Sequence, residues 1–269
     1  MMIQGIITAT ICVALTGLLI GIFLGLADKK FGVKVDERQA AVEKALPGNN
    51  CGGCGFAGCA ALAEAIAKGE APVNACPVGG SPVADNIAGI MGLDAAGSGV
   101  KMSAYVKCAG NCEKAKTNYN YTGNTSCVMQ SNTPGKGPKV CTYGCLGGGD
   151  CVKACQFGAI SIKNGIAVVN EKLCTSCGMC AKACPRGIIE LVPVDKKVRV
   201  ACSSKDKGPV AMKACDTACI GCMMCKKECP NDAVVIEDFL AKIDYEKCVE
   251  CGACVLKCPR KAIINKNEA

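Results

Sequence analysis

The 269-residue sequence has no histidine and no tryptophan, and only 5 Phe and 5 Tyr. Without an imidazole there is no histidine base and no Ser/His/Asp set, so the usual agents of acyl transfer are missing. Zinc sites that mix cysteine with histidine are excluded for the same reason. The shortage of aromatic rings leaves few large side chains with which to build cores. No Lys/Arg run with interleaved aromatics accompanies the net charge of +8, so an acidic protein partner or a membrane surface fits that charge better than nucleic acid. Glycine clusters occur, but they are interleaved with cysteine. None follows a strand and opens a helix, as a dinucleotide-binding loop does.

Cysteine is what the chain has in abundance, with 26 residues, far above average usage. A disulfide framework suits short secreted chains, and this chain is long. Three runs share the spacing C-x2-C-x2-C-x3-C-P. They are Cys174, Cys177, Cys180 and Cys184; Cys219, Cys222, Cys225 and Cys229; and Cys248, Cys251, Cys254 and Cys258. In this bacterial ferredoxin spacing three close thiolates hold three corners of a [4Fe–4S] cluster, and the fourth reaches the neighbouring cluster. The last two runs therefore pair as Cys219, Cys222, Cys225 with Cys258, and Cys248, Cys251, Cys254 with Cys229.

The partner of the 174 run is irregular: CTYGCLGGGDCVKAC lacks the middle cysteine, and Cys155 precedes Gln156 instead of proline. Cys141 is the nearest replacement. The expected sets are Cys141, Cys145, Cys151 with Cys184, and Cys174, Cys177, Cys180 with Cys155. Upstream, Cys51, Cys54 and Cys59 stand at C-x2-C-x4-C and Cys76-Pro77 closes a fifth set. A sixth cluster is drawn from Cys108, Cys112, Cys127 and one of Cys202 or Cys215; the alternative is that these are free or buried thiols. Cys12 reads as a small apolar residue in a helix.

Residues 5–27 carry no charge, a length that as a helix crosses a hydrocarbon layer of about 30 Å. Lys29, Lys30, Lys34, Arg38 and Lys44 follow, which puts the body on the cytoplasmic side. The expected class is α+β: an N-terminal transmembrane helix (1–28), a small helical 4Fe-4S domain (33–92), a linker and Cys-containing insertion (93–139), and tandem two-cluster bacterial ferredoxin-like modules (140–200 and 201–269). Helices are expected over 33–48 and from Cys59 to a C-cap at Gly69. Paired β segments are expected at 159–162 with 166–169, 188–194 with 198–201, and 233–237 with 240–244.

An apolar span, then CGGCGFAGC closed by Cys76-Pro77, then tandem ferredoxin modules, resembles the RnfB family, the B subunits of the Rnf complexes. CTYGCLGGGDCVKACQFGAI and ACSSKDKGPVAMKACDTACIGCMMC resemble its longer, anaerobe-type form. The resemblance implies one component of a membrane-bound ferredoxin:NAD+ oxidoreductase coupled to Na+ or H+ translocation. Such a component takes electrons from soluble ferredoxin and passes them to other subunits of a cell-membrane complex, where flavin and NAD are held. Lys226, Lys227, Lys257, Arg260 and Lys261 are candidates to steer an acidic ferredoxin. The same architecture serves two alternatives: an Rsx-type reductant of an iron–sulfur regulator, and an anchored polyferredoxin of a hydrogenase or formate dehydrogenase.

Overall fold

A computed structural model describes residues 2–31, 36–94 and 100–266. Helix α1 (Met2–Phe31) is followed by α2 (Glu37–Ala45), α3 (Cys59–Ala67) and α4 (Gly80–Met91). Then come β1 (Met102–Val106), α5 (Cys127–Ser131), α6 (Asp150–Lys153), β2 (Ile160–Lys163), β3 (Ile166–Val169), α7 (Met179–Ala183) and β4 (Ile189–Pro193). The chain ends with β5 (Val198–Val200), α8 (Gly208–Ala214), α9 (Met224–Lys227), β6 (Val234–Glu237), β7 (Leu240–Ile243), α10 (Ala253–Lys257) and β8 (Ile263–Asn265).

In α1 the described side chains are those of residue 11 and residues 13–26, all exposed. Among the described residues no helix is long and apolar enough to cross a membrane. Asp36 caps α2 by accepting from the Arg38 amide. Helices α2, α3 and α4 close a small core around Val42, Leu62, Ile66 and Ile87. The expected start of the first of these helices, residues 33–35, lies outside the described residues, as does 95–99 of the expected linker.

The remaining chain is one unit built twice. Cys141, Cys145, Cys151, Cys155, Cys174, Cys177, Cys180 and Cys184 recur 74 residues later as Cys215, Cys219, Cys225, Cys229, Cys248, Cys251, Cys254 and Cys258. The strands recur with them. Hairpin β2–β3 turns at Asn164-Gly165 and hairpin β6–β7 at Asp238-Phe239, and all four turn residues take positive φ, the requirement of a two-residue primed turn. The outer strands depart from expectation. The segments at 188–194 and 198–201 do not pair with each other: β4 pairs antiparallel with β1, and β5 with β8. The loop at Asp195–Lys197 is thus the connection between units, and β1, expected in the linker, is the opening strand of the first.

The two units are knit by polar contacts. The Ala109 amide donates to the Ala201 carbonyl (2.9 Å) and the Lys116 amide to the Ala214 carbonyl (3.0 Å). Arg199 is fully buried. It pairs with Glu171 at 2.7 Å, donates to the Lys196 and Pro193 carbonyls, and lies 5.1 Å from the Tyr105 ring centroid. Lys266 and Lys197 also reach Glu171. Burial by itself pushes the Glu171 carboxyl up, but the bonds to Lys266 and Arg199 outweigh it and hold the group at about 2. The stabilisation is therefore complete at neutral pH and is lost only as pH falls from the ordinary carboxylate range toward 2. Glu171→Gln leaves Arg199 buried without its anion. At pH 7 this variant is expected to lose about 3–5 kcal/mol in chemical denaturation; an unchanged midpoint would show that the clamp is not a stabilising element.

Candidate metal centres

Each ferredoxin-type run curls the same way. Two left-handed residues flank its second cysteine position: Gly147 and Gly149, Ser176 and Gly178, Gly221 and Met223, Glu250 and Gly252, with φ between +59° and +84°. This alternation turns successive amides inward and makes a concavity suited to an anionic group. Among the described residues five cavities result that are each lined by four cysteines.

Three of them gather the expected sets: Cys155, Cys174, Cys177 and Cys180; Cys219, Cys222, Cys225 and Cys258; and Cys229, Cys248, Cys251 and Cys254. The other two regroup. Cys145, Cys151 and Cys184 are joined by Cys127, not by Cys141. Cys141 instead meets Cys108, Cys202 and Cys215 in a cavity between the two units. Thus Cys202 and Cys215 both belong to this fifth cavity, while Cys112 lines none of the five and is exposed. The N-terminal set is held by the loop before α3, by Cys59 as the first residue of α3, and by Cys76. The Cys59 amide is capped by Asn50 Oδ1 at 2.7 Å. Cys54, Cys59 and Cys76 pack against one core. The side chain of Cys12 lies outside the described residues.

Gly148 explains the substitution of Cys127 for Cys141. It stands 74 residues before Cys222, where a regular run has its middle cysteine. A Cβ on Gly148 would lie 2.0 Å from the Thr125 carbonyl oxygen and 2.7 Å from the Cys127 nitrogen. The insertion between β1 and α6 therefore occupies the space of the missing side chain and delivers its own thiol there. Asp150 fastens it, accepting from Ser126 Oγ (3.0 Å) and the Val128 amide (3.1 Å).

The sulfur environments are consistent with this grouping. Burial pushes the Cys151 thiol up to about 12, and the nearby Cys145, Cys127 and Cys184 add to it. Burial likewise raises Cys180, Cys202, Cys225 and Cys254 to about 11. Backbone amides already point at sulfur: Ala159 at Cys155, Ala233 at Cys229 and Ala262 at Cys258, at 3.4, 3.3 and 3.2 Å. Thr175 Oγ1, Arg186 Nε and Arg260 Nε are buried with no hydrogen-bond partner, and each residue lines one of the cavities. A sulfur-rich anionic group in these cavities answers all three. Among the described residues no three acidic or cysteine side chains converge tightly enough for a single ion. A cubane differs in that each of its four irons takes a single cysteine thiolate from the protein, so the residues present fit a [4Fe–4S] group.

The N-terminal site abuts the first unit. A Cβ on Gly53, between Cys51 and Cys54, would lie 2.6 Å from the Cys177 carbonyl oxygen, and Lys182 Nζ donates to the Gly52 carbonyl at 3.4 Å. Only glycine permits two cysteine-bearing loops to approach backbone to backbone here.

A family model described as "Putative Fe-S cluster" matches residues 46–78, "4Fe-4S binding domain" matches 167–190, and "4Fe-4S dicluster domain" matches 218–263. The B subunit of the Na(+)-translocating ferredoxin:NAD(+) oxidoreductase complex of Acetobacterium woodii is 48% identical over 247 residues, 91% of this chain and 74% of the relative. The B subunit of the ion-translocating oxidoreductase complex of Methanosarcina acetivorans is 47% identical over 235 residues, covering 86% and 87%. The B subunit of the proton-translocating ferredoxin:NAD(+) oxidoreductase complex of Clostridium ljungdahlii is 42% identical over 241 residues, covering 89% and 84%.

Two variants separate the observed grouping from the expected one. Cys127→Ser is expected to lose one cluster's worth of iron and sulfide, and Cys112→Ser none; iron loss from Cys112→Ser alone would reverse the assignment. Gly53→Ala is expected to keep all its iron while hydrogen exchange over residues 174–178 accelerates, because the loops can no longer meet. Unchanged exchange would mean that the junction does not hold the two parts together.

Proposed function

The chain belongs to the RnfB family, the B subunits of ion-translocating oxidoreductase complexes, and on that premise we propose that it accepts electrons from reduced ferredoxin and relays them to membrane partners. The observation that carries this reading is the set of five four-cysteine cavities, three of them with an orphaned donor at the wall. Together with Cys51, Cys54, Cys59 and Cys76 they provide for six [4Fe–4S] clusters, which supply one-electron transfer without bond making. The protein's own part is to hold the sulfurs, exclude water and set the local charge. NAD+ reduction and translocation of Na+ or H+ belong, in this proposal, to the complex as a whole. Its relatives come from both a sodium-translocating and a proton-translocating complex, so the ion is not decided by family.

In the same proposal the uncharged residues 5–27 of α1 anchor the chain in the cell membrane with the body on the cytoplasmic side. The N-terminal centre then lies nearest the membrane partners, and the second unit faces ferredoxin. The surface there is suitable. Cys222 and Cys251 are exposed, as are Met223, Met224, Phe239 and Leu256, while Lys226, Lys227 and Lys261 stand in solvent around them. Two of the expected steering residues are engaged elsewhere: Lys257 pairs with Glu228 at 3.4 Å, and Arg260 donates to the Cys215 carbonyl at 3.0 Å and lines a cavity.

Membrane vesicles test the reading. Ferredoxin-driven NAD+ reduction with ion uptake is expected to require this chain. Lys226→Glu with Lys227→Glu and Lys261→Glu is expected to slow it about tenfold at low salt and to flatten its salt dependence. Full activity in vesicles without the chain would refute the proposal, and an unchanged salt dependence in the triple variant would move the docking face elsewhere.

A further inference from the structure

The cavity of Cys108, Cys141, Cys202 and Cys215 joins two halves that are alike in backbone. On one side the Cys145 amide donates to Cys108 Sγ at 3.3 Å; on the other the Cys219 amide donates to Cys202 Sγ at 3.3 Å. Cys145 and Cys219 each line the next cavity outward. The joint is therefore symmetric in its connections, and the backbone alone gives an electron no preferred direction.

The charges beside it are not symmetric. Lys139 is only 6% exposed. Its ammonium donates to the Gly110 carbonyl at 2.8 Å and to the Gly165 carbonyl at 3.3 Å. Gly110 lines the shared cavity, and a Cβ placed there would lie 3.2 Å from Cys215 Sγ and 3.6 Å from Cys108 Sγ. Gly165 backs the other loop: its carbonyl oxygen lies 2.7 Å from where a Gly147 Cβ would be, between Cys145 and Cys151. Among the described residues no carboxylate pairs with Lys139. Its counterpart 74 residues on is Lys213, which is exposed. The second unit instead brings Asp206, half-buried, whose Oδ2 accepts from Ser204 Oγ at 3.4 Å, and Ser204 lines the shared cavity. Among the described residues the charged side chains that line these cavities are Arg186 and Arg260, which correspond to each other across the two halves, and Asp150, which is held by Ser126 and Val128.

We infer that Lys139 and Asp206 form a fixed dipole across the shared centre that draws electrons from the second unit into the first. A buried cation favours the reduced, more negative state of the groups beside it, and a carboxylate disfavours it. One electron arrives from the Cys219 side and one leaves toward the Cys145 side; no bond or proton is exchanged. This rests on the cavities holding [4Fe–4S] clusters, and it assigns Lys139 and Asp206 as positioning charges that ligate nothing.

The test is an optical and EPR-monitored redox titration of the iron-loaded chain, with iron content measured on the same samples. Lys139→Met is expected to shift part of the titration to lower potential at unchanged iron content, Lys139→Arg to restore it, and Lys213→Met to leave it alone. Asp206→Asn is expected to shift a component the opposite way, which keeps the inference testable if Lys139→Met loses iron. If iron-loaded Lys139→Met or, failing that, Asp206→Asn superimposes on wild type, the dipole has no such role. Absence of iron from wild type would instead remove the underlying reading of the cavities.

Discussion

The structure depends on sulfur being brought together in places where sulfur alone is poorly accommodated. Four thiols meet in each cavity, buried enough that Cys151 is pushed to about 12 and several others to about 11. Thiolates in such company repel one another, so the arrangement makes sense as a ligand cage completed by a cation-rich group. The apolar packing around it is thin: the cores of the two units are mainly Ala, Val, Ile and Cys. With few aromatics, each unit has little to bury except its metal sites and the strands that wall them.

Duplication then places four of the cysteine cavities with one local rule. Left-handed residues at fixed positions curl each run, a short helix follows, and the last cysteine crosses to the neighbouring cavity. The single exception shows how the rule is repaired. Gly148 gives up a side chain, the insertion moves into its place, and Cys127 arrives from a distant part of the chain. This releases Cys141 to mirror Cys215 at the joint between units.

The regular runs were legible because their ligands are local: C-x2-C-x2-C-x3-C fixes three neighbours and names the fourth. Hairpin β2–β3 was legible from its Asn-Gly turn, and hairpin β6–β7 as a repeat of the same pattern. The exceptions were less so, because proximity in sequence is a poor guide once a loop folds back. Cys141 was chosen as the nearest cysteine, whereas the signal lay in the constant offset of 74 residues, which places it opposite Cys215 and puts Gly148 opposite Cys222. Strands β4 and β5 look like a hairpin because a polar turn separates them; β1, which claims β4, carries no turn signal pointing there. No motif in the sequence marks Arg199 or Lys139, and only the tertiary structure shows one clamped by Glu171 and the other enclosed between two cavities.

In the proposed reading, charge and contact together give electrons a direction from the C-terminal unit toward the helix at the N-terminus, through the joint and across the Gly53–Cys177 contact. The claim beneath this is that six cysteine sets, one of them shared between the units, hold iron. Anomalous diffraction at the iron edge from crystals of the iron-loaded chain tests it most directly. The account predicts six compact iron peaks, one ringed by Cys108, Cys141, Cys202 and Cys215. Five peaks with none at that joint, or a peak at Cys112, would contradict it.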